Sequence, residues 1–231
     1  KKNKARYLGY KCTGIQFSIK NINLDPYYVG LWIGDGSKRE CNIIHNLDNE
    51  VINYLKDNFG IKYTYGANNL SKVLNNTIIL NNFKKDFNTS RRGINEKFIP
   101  DNYLYNTKEI RLKLLAGLID SDGSYCKINK QYVVTVKDKL LADQIVYLTR
   151  SLGFYTSITM IKGSTKIYPN KKEYTCSDYY SIRFVPECDI PVLIERKKQL
   201  QKSNFKNRLH TGFKIEKDIV DNYYGFVLDG D

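Results

Sequence analysis

Histidine is scarce in this chain and its cysteines are unpaired, which limits the chemistry open to its 231 residues. The two histidines, His45 and His210, are far apart and neither has a ligand-spaced neighbour. Histidine-based catalysis therefore has little to work with. The five cysteines (Cys12, Cys41, Cys126, Cys176, Cys188) are odd in number and scattered, with no Cys-x-x-Cys pair. Zinc and disulfide frameworks are both disfavoured, and a reducing compartment fits. No apolar run approaches the ~18 residues of a membrane span. The basic N-terminus (Lys1, Lys2, Lys4, Arg6) is followed by no apolar stretch, so it does not read as a secretory signal. Hydrolytic chemistry is left to carboxylates, lysine and a metal.

Positive charge, by contrast, is in excess: 37 Lys+Arg against 24 Asp+Glu, a formal net charge of +13. Such a surplus predicts a polyanion partner, nucleic acid ahead of an anionic membrane. A hydrophobic share of 42% is enough for a packed core.

The chain also repeats itself. Residues 28–37 read Tyr-Val-Gly-Leu-Trp-Ile-Gly-Asp-Gly-Ser, and residues 115–124 read Leu-Ala-Gly-Leu-Ile-Asp-Ser-Asp-Gly-Ser. Tyr54-Leu55 and Phe59-Gly60-Ile61 recur as Tyr147-Leu148 and Leu152-Gly153-Phe154. Glu96 to Pro100 is echoed by Glu187 to Pro191. Three landmarks in the same order predict two copies of one unit of roughly 90 residues.

Each copy reads α-β-β-α-β-β-α. Apolar helices are expected at 26–34 and 107–120, the first capped by Asp25 with Pro26 at its first position, the second by an Asn106/Glu109 capping box. Both end at Asp-Gly, a stop signal. Hairpins follow at 37–45 and 124–136, then helices at 48–58 and 138–151. Second strand pairs come at 62–80 and 154–186, with 172–185 rich in strand formers, and closing helices at 80–87 and 190–202. The predicted fold class is α+β with pseudo-twofold symmetry and antiparallel sheets.

The first helix of each copy is apolar on almost every face, which predicts burial. Gly30 and Gly34, and Gly117 and Ser121, put small residues four apart, so two backbones can approach closely. The two helices are expected to pack together, with Leu31 and Leu118 at the seam. That places Asp35 and Asp122 side by side at two helix C-termini, where the dipole already disfavours negative charge. A divalent cation would relieve both, and hard cations such as Mg²⁺ take oxygen ligands. The competing reading is that each Asp-Gly is only a turn.

Leu114 to Gly123 (Leu-Leu-Ala-Gly-Leu-Ile-Asp-Ser-Asp-Gly) resembles the LAGLIDADG motif with one substitution, Ser121, and Tyr28 to Gly36 is a diverged first copy. Lys97-Phe98-Ile99-Pro100 resembles the block that supplies a catalytic lysine in intein-encoded members. The resemblance covers roughly residues 25 to 202 and implies a double-motif, monomeric homing endonuclease of the LAGLIDADG (dodecapeptide) type. It implies a β saddle lying along double-stranded DNA with a long, weakly palindromic target. It further implies Mg²⁺, with Mn²⁺ able to substitute. Asp35 and Asp122 would bind the cations with the carbonyls of Gly34 and Ser121, and Lys97 would assist catalysis. The position matching Lys97 in the second copy is Cys188, which leaves a second lysine open; Lys197 and Lys198 are candidates.

Expected DNA contacts are Lys38, Arg39, Lys72, Lys127, Lys130, Lys162, Lys166, Arg183, Lys197 and Lys198. The plainer reading of any one of these is a solvated face. The flanks also carry a resemblance. Leu24 to Gly30 looks like the entry to an endonuclease inside an intein, and Tyr223 to Asp231 like the start of an intein C-terminal splicing block. The chain shows no N-terminal Cys or Ser and no terminal His-Asn pair, so splicing is not expected of it. The organisation implied is a flank at 1–24, endonuclease repeats at 25–105 and 106–202, and a C-terminal flank at 203–231. An intracellular location is expected, nuclear in a eukaryotic host, with no membrane partner. The alternative is a catalytically inactive binding protein of this fold or an RNA maturase.

Overall fold

The computed structural model describes residues 8–38, 43, 44, 46, 48–60, 72–73, 77–87, 96–167, 173–199, 209–212, 215, 217 and 219–222. In chain order the elements are β1 (Leu8–Tyr10), α1 (Pro26–Asp35), β2 (Ile43–Ile44), α2 (Asn49–Phe59), β3 (Lys72–Val73), α3 (Thr77–Phe87) and α4 (Asp101–Leu104). Then come α5 (Lys108–Asp122), β4 (Gly123–Cys126), β5 (Gln131–Val136), α6 (Lys139–Ser151), β6 (Tyr155–Ile161), β7 (Thr165–Ile167), β8 (Glu173–Thr175), β9 (Tyr179–Val185) and β10 (His210–Gly212). A 3₁₀ turn, Glu195–Lys197, follows β9. This is a mixed α/β fold with antiparallel sheets.

Two buried helices, α1 and α5, pack against each other more extensively than any other pair of elements among the described residues. Their sequences dictate this. A Cβ at Gly30 would lie 2.0 Å from the Leu114 carbonyl oxygen, and one at Gly117 would lie 2.1 Å from that of Tyr27. The contact is reciprocal and backbone to backbone, which only residues without side chains allow. Leu31 and Leu118 flank the contact and are buried. One turn on, a Cβ at Gly34 would meet Ser121 Oγ.

α1 starts where Asp25 accepts the backbone N–H groups of Tyr27 (2.8 Å) and Tyr28 (3.1 Å), with Pro26 needing no such partner. α5 starts differently from expectation. Its cap residue is Thr107, because the Asn106 side chain is engaged elsewhere: its oxygen accepts the N–H of Lys20 (3.2 Å) and its nitrogen donates to the Lys20 carbonyl (2.9 Å). Both helices do stop at glycine. Gly36 and Gly123 are extended rather than left-handed, so their need for glycine is spatial: a Cβ would press on Trp32 or Ile119 one turn back.

The largest sheet runs β4-β5-β9-β6, every pair antiparallel. Tyr132, Val134, Ile182 and Phe184 form its inner face and join the core with α5 and α6. On the other face, Ser124, Val133, Arg183 and Ser157 lie in one cross-strand row. Segment 172–185 is two strands, since β8 pairs with β7 in a separate ribbon and 176–178 separates it from β9. In the first half, β2 pairs with β3, while most of the expected strand pair at 62–80 lies outside the described residues.

Of the closing helix expected at 190–202, residues 200–202 lie outside the described residues, and 190–199 form no α-helix: only Glu195–Lys197 makes a 3₁₀ turn, the Val192 N–H closes a tight turn onto the Ile190 carbonyl around Pro191, and Val192 and Ile194 are buried against the core. β1 pairs with β10, bringing the two flanks together. Between β1 and α1 the chain runs as a strap over the molecule. Arg111, almost wholly buried, holds it by donating to the carbonyls of Ile15 (2.6 Å) and Asn106 (2.9 Å) and to Ser151 Oγ (2.6 Å).

Candidate active site

The parallel packing of α1 and α5 brings their C-terminal ends to one place. A Cβ at Gly34 would stand 3.3 Å from the Asp122 carboxyl carbon, so the two acidic ends are adjacent. Asp35 is half-buried, and its carboxyl is pushed up to about 6, chiefly by burial and secondarily by the charge of Asp122, against the lowering effect of an Asn46 hydrogen bond. Asn46 Nδ2 donates to Asp35 Oδ2 at 2.7 Å and to the Asp120 carbonyl at 3.3 Å. Asp122 has an exposed side chain, yet the protein surrounding it also holds its carboxyl above the usual range, offset by Lys97 and then Lys197.

Two ammonium groups complete the site. Lys97 Nζ donates to the Gly34 carbonyl at 2.6 Å and lies 5.3 Å over the Trp32 ring. Burial lowers its pKa to about 8, while Asp122, and less so Asp35, favour its charged form. Lys197 Nζ donates to the carbonyls of Ile119 (2.8 Å), Asp120 (2.9 Å) and Ser121 (3.2 Å). Each lysine thus sits on carbonyls at the end of one helix, where the chain runs out of N–H donors. Cys188 is a half-buried free thiol, and the residue that reaches the α5 carbonyls is Lys197.

Asp120 was legible only as a letter of the motif. It is fully buried, and its Oδ2 accepts the Tyr27 hydroxyl (2.8 Å) and the Leu193 N–H (2.6 Å). Asn46 had no sequence signal beyond its place two residues before Asp48, the N-cap of α2; its Oδ1 accepts the Asp48 N–H at 3.0 Å.

The sequence-predicted cations are distributed unevenly. Lys197 was expected either as a second site lysine or on a DNA-facing basic patch; the carbonyls it satisfies draw it inward and leave it buried at the end of α5. Lys198 is exposed and paired with Glu195 at 2.6 Å. Lys38 and Lys127 are exposed, Lys130 is partly so, and Arg183 sits half-buried mid-sheet. Lys162 is exposed and pairs with Asp178 at 3.0 Å. Lys72 lies on β3 and Lys166 on β7, while Arg39 lies outside the described residues.

The two carboxylates suit a hard divalent cation, which commonly takes one or two carboxylates and fills its remaining positions with phosphate and water; the Gly34 and Ser121 carbonyls beside them accept the lysine ammonium groups. Among the described residues no group of three His, Cys, Asp or Glu side chains gathers as a closed cage.

Known proteins resemble this chain along much of its length. It is 27% identical over 215 residues to the ATP-dependent DNA helicase Hel308 of Methanocaldococcus jannaschii, covering 84% of this chain and 18% of the helicase. It is 28% identical over 184 residues to the homothallic switching endonuclease of Saccharomyces cerevisiae, covering 63% of this chain and 30% of that protein. A DNA polymerase of Acanthamoeba polyphaga mimivirus is 26% identical over 180 residues, 66% of this chain and 10% of the polymerase. The chain thus spans less than a third of each of these relatives. A solved structure of mesophilic variants of the homing endonuclease I-DmoI superposes with a TM-score of 0.38 at 15% identity, covering 69% of this chain and 87% of that one. A family model described as homing endonuclease matches residues 98–214. With half of its length inside that model, the chain belongs to the homing endonuclease family.

Proposed function

We propose that this chain is a double-motif LAGLIDADG homing endonuclease of intein origin that cuts both strands of a specific DNA duplex with Mg²⁺. The observation that carries the reading is the meeting of Asp35 and Asp122 at adjacent helix ends, each end attended by a lysine. Asp35 and Asp122 would hold the cation, with the carbonyls of Gly34 and Ser121 beside them. When bound, Mg²⁺ supplies Lewis-acid polarisation of the phosphate and a more acidic water. The chain's own residues do the rest. Asn46 orients the Asp35 carboxylate. Lys97 places a positive charge where negative charge develops on the phosphate, and its depressed pKa near 8 lets it exchange a proton close to neutral pH. Lys197 fixes the end of α5 that presents Asp122. The outer row of the β4-β5-β9-β6 sheet, with Arg183 at its centre, would face the major groove.

Several features support this reading. The motif and its diverged copy lie on α1 and α5, so the duplicated helices form the central contact, as a pseudo-twofold repeat requires. The relatives include a helicase and a polymerase, in each of which the matched stretch is a small part. A self-contained inserted unit explains one stretch within two unlike enzymes, and the pairing of β1 with β10 closes such an insert at its base. A monomer suffices, because one chain carries both carboxylates.

The test is direct. The protein is incubated with Mg²⁺ and a duplex from its host gene with the inserted reading frame removed. Double-strand cleavage is expected, with Asp122→Asn abolishing it while leaving DNA affinity largely intact. Binding without cleavage would favour the inactive or maturase alternative. Affinity should also fall steeply with salt.

A further inference from the structure

Lys197 donates to the last carbonyls of α5, joining the Gly123 N–H at Ile119 and Asn46 Nδ2 at Asp120, and it could not reach them unless residues 190–197 were pinned to the helix seam. That segment has no ladder of its own: it is neither strand nor α-helix and makes one 3₁₀ turn. Its exposed side is held to α2, where the Glu195 N–H donates to Glu50 Oε1 at 3.2 Å and Arg196 pairs with Asp48 at 3.0 Å; two further hydrogen bonds tie its inner side to the core. Tyr132 donates its hydroxyl to the Lys197 carbonyl at 2.9 Å, and Leu193 donates its N–H to Asp120 Oδ2 at 2.6 Å. The same Asp120 oxygen takes the hydroxyl of Tyr27 from α1. The backbone of Asp120 extends the connection. Its carbonyl accepts Lys197 Nζ and also Asn46 Nδ2, the atom that holds Asp35.

We propose that the Asp120 side chain is a positioning residue, tethering the Lys197 segment to the helix seam, and is not itself a cation ligand. This rests on the nuclease reading above. Three observations carry it. Asp120 is fully buried, whereas Asp35 and Asp122 are reachable from solvent, so a cation entering with a phosphate meets those two and not Asp120. Its Oδ2 already serves two donors, one from α1 and one from the 190–197 segment, so the carboxylate is engaged as a link between them. The equivalent place in α1, two residues before Asp35, holds Ile33, also buried, so helix packing alone does not ask for an acid there. The acid is present in α5, the helix to which the 190–197 segment is tied.

The experiment compares Asp120→Asn, Asp120→Ala, Lys197→Met and the Asp120→Ala/Lys197→Met double variant in the full chain. Three quantities are read: hydrogen exchange at the Leu193 amide, Mn²⁺ affinity without DNA, and single-turnover cleavage of each strand alongside DNA affinity. Asparagine offers one oxygen to both donors, so Asp120→Asn should retain slow exchange and most of the cleavage rate. Asp120→Ala should speed exchange at Leu193 and slow cleavage about 10–100-fold, as loss of an orienting partner does, with Mn²⁺ and DNA affinity unchanged. The double variant should be no slower than Lys197→Met alone, since Asp120 acts through Lys197. A fall in Mn²⁺ affinity in both Asp120 variants would make it a ligand and overturn the proposal. Wild-type cleavage in Asp120→Ala would overturn it too. A wild-type protein that never cuts would instead sink the nuclease reading, and exchange at Leu193 would still decide whether Asp120 holds the segment.

Discussion

Replacing Asp35 with asparagine should make the cation-free protein more stable while removing its activity. The folded chain holds the Asp35 proton more tightly than an unfolded chain does, with a pKa of about 6 against 3.8. That contribution is complete below the ordinary value and is lost as pH rises through about 6. Above neutrality the ionised Asp35 therefore costs stability. A shift of two units corresponds to ~3 kcal/mol, and the share of the carboxylate open to water reduces this to ~2 kcal/mol. In the Asp35→Asn variant the new amide oxygen can still accept the Asn46 hydrogen bond. One effect opposes the gain: Lys97, already lowered to about 8, loses part of the Coulombic support that Asp35 gives its charged form. The net expectation in EDTA at pH 7.5 is a stabilisation of ~1–2 kcal/mol, or a rise in Tm of ~2–8 °C for a chain of this size. At pH 4 the gain should vanish, because the wild-type carboxyl is then protonated. Urea or thermal melts at the two pH values check this. Loss of stability at pH 7.5, or an equal gain at both, would refute the electrostatic account of the site.

Gly30→Ala should lower stability by at least ~3 kcal/mol, since the new methyl would sit on the Leu114 backbone and neither helix can retreat without opening the seam; chemical denaturation reads this, and a near-neutral result would mean that the helices are farther apart than described. Arg111→Met should cost roughly 2–4 kcal/mol, because two buried acceptors and the part-buried Ile15 carbonyl lose their donor, and limited proteolysis should then cut first between residues 11 and 24. Asn46→Ala should slow cleavage of the strand served by Asp35 more than that served by Asp122, seen as accumulation of a nicked plasmid; equal slowing of both strands would place Asn46 outside the Asp35 half-site.

Much of this was legible in the residues. The seam could be read from small residues four apart on helices with no polar face, because close backbone approach has few sequence solutions. The carboxylate positions followed from the repeat. Other parts were not legible for physical reasons. Asn106 has the composition of a cap, yet its amide is taken by the strap at Lys20, a contact made across a long stretch of chain. Residues 190–202 have enough helix formers to suggest a helix, but burial of Val192 and Ile194 on alternate positions goes with a non-helical path through 190–194. Lys197 and Asn46 lie in no motif. Each is placed by where its backbone happens to pass α5, and chain spacing does not encode that.

The chain has a single tryptophan, and it is Trp32. Its ring is fully buried beneath the Lys97 ammonium, edge-on to Phe83 and Phe87. Excitation of that indole therefore reports from one address, one turn before the end of α1. An ammonium over the ring polarises the excited state, so drawing Lys97 toward a phosphate or pushing it aside by a bound cation changes the emission. The protein carries its own optical gauge of the candidate site, needing no label and responding before any bond in the DNA is broken.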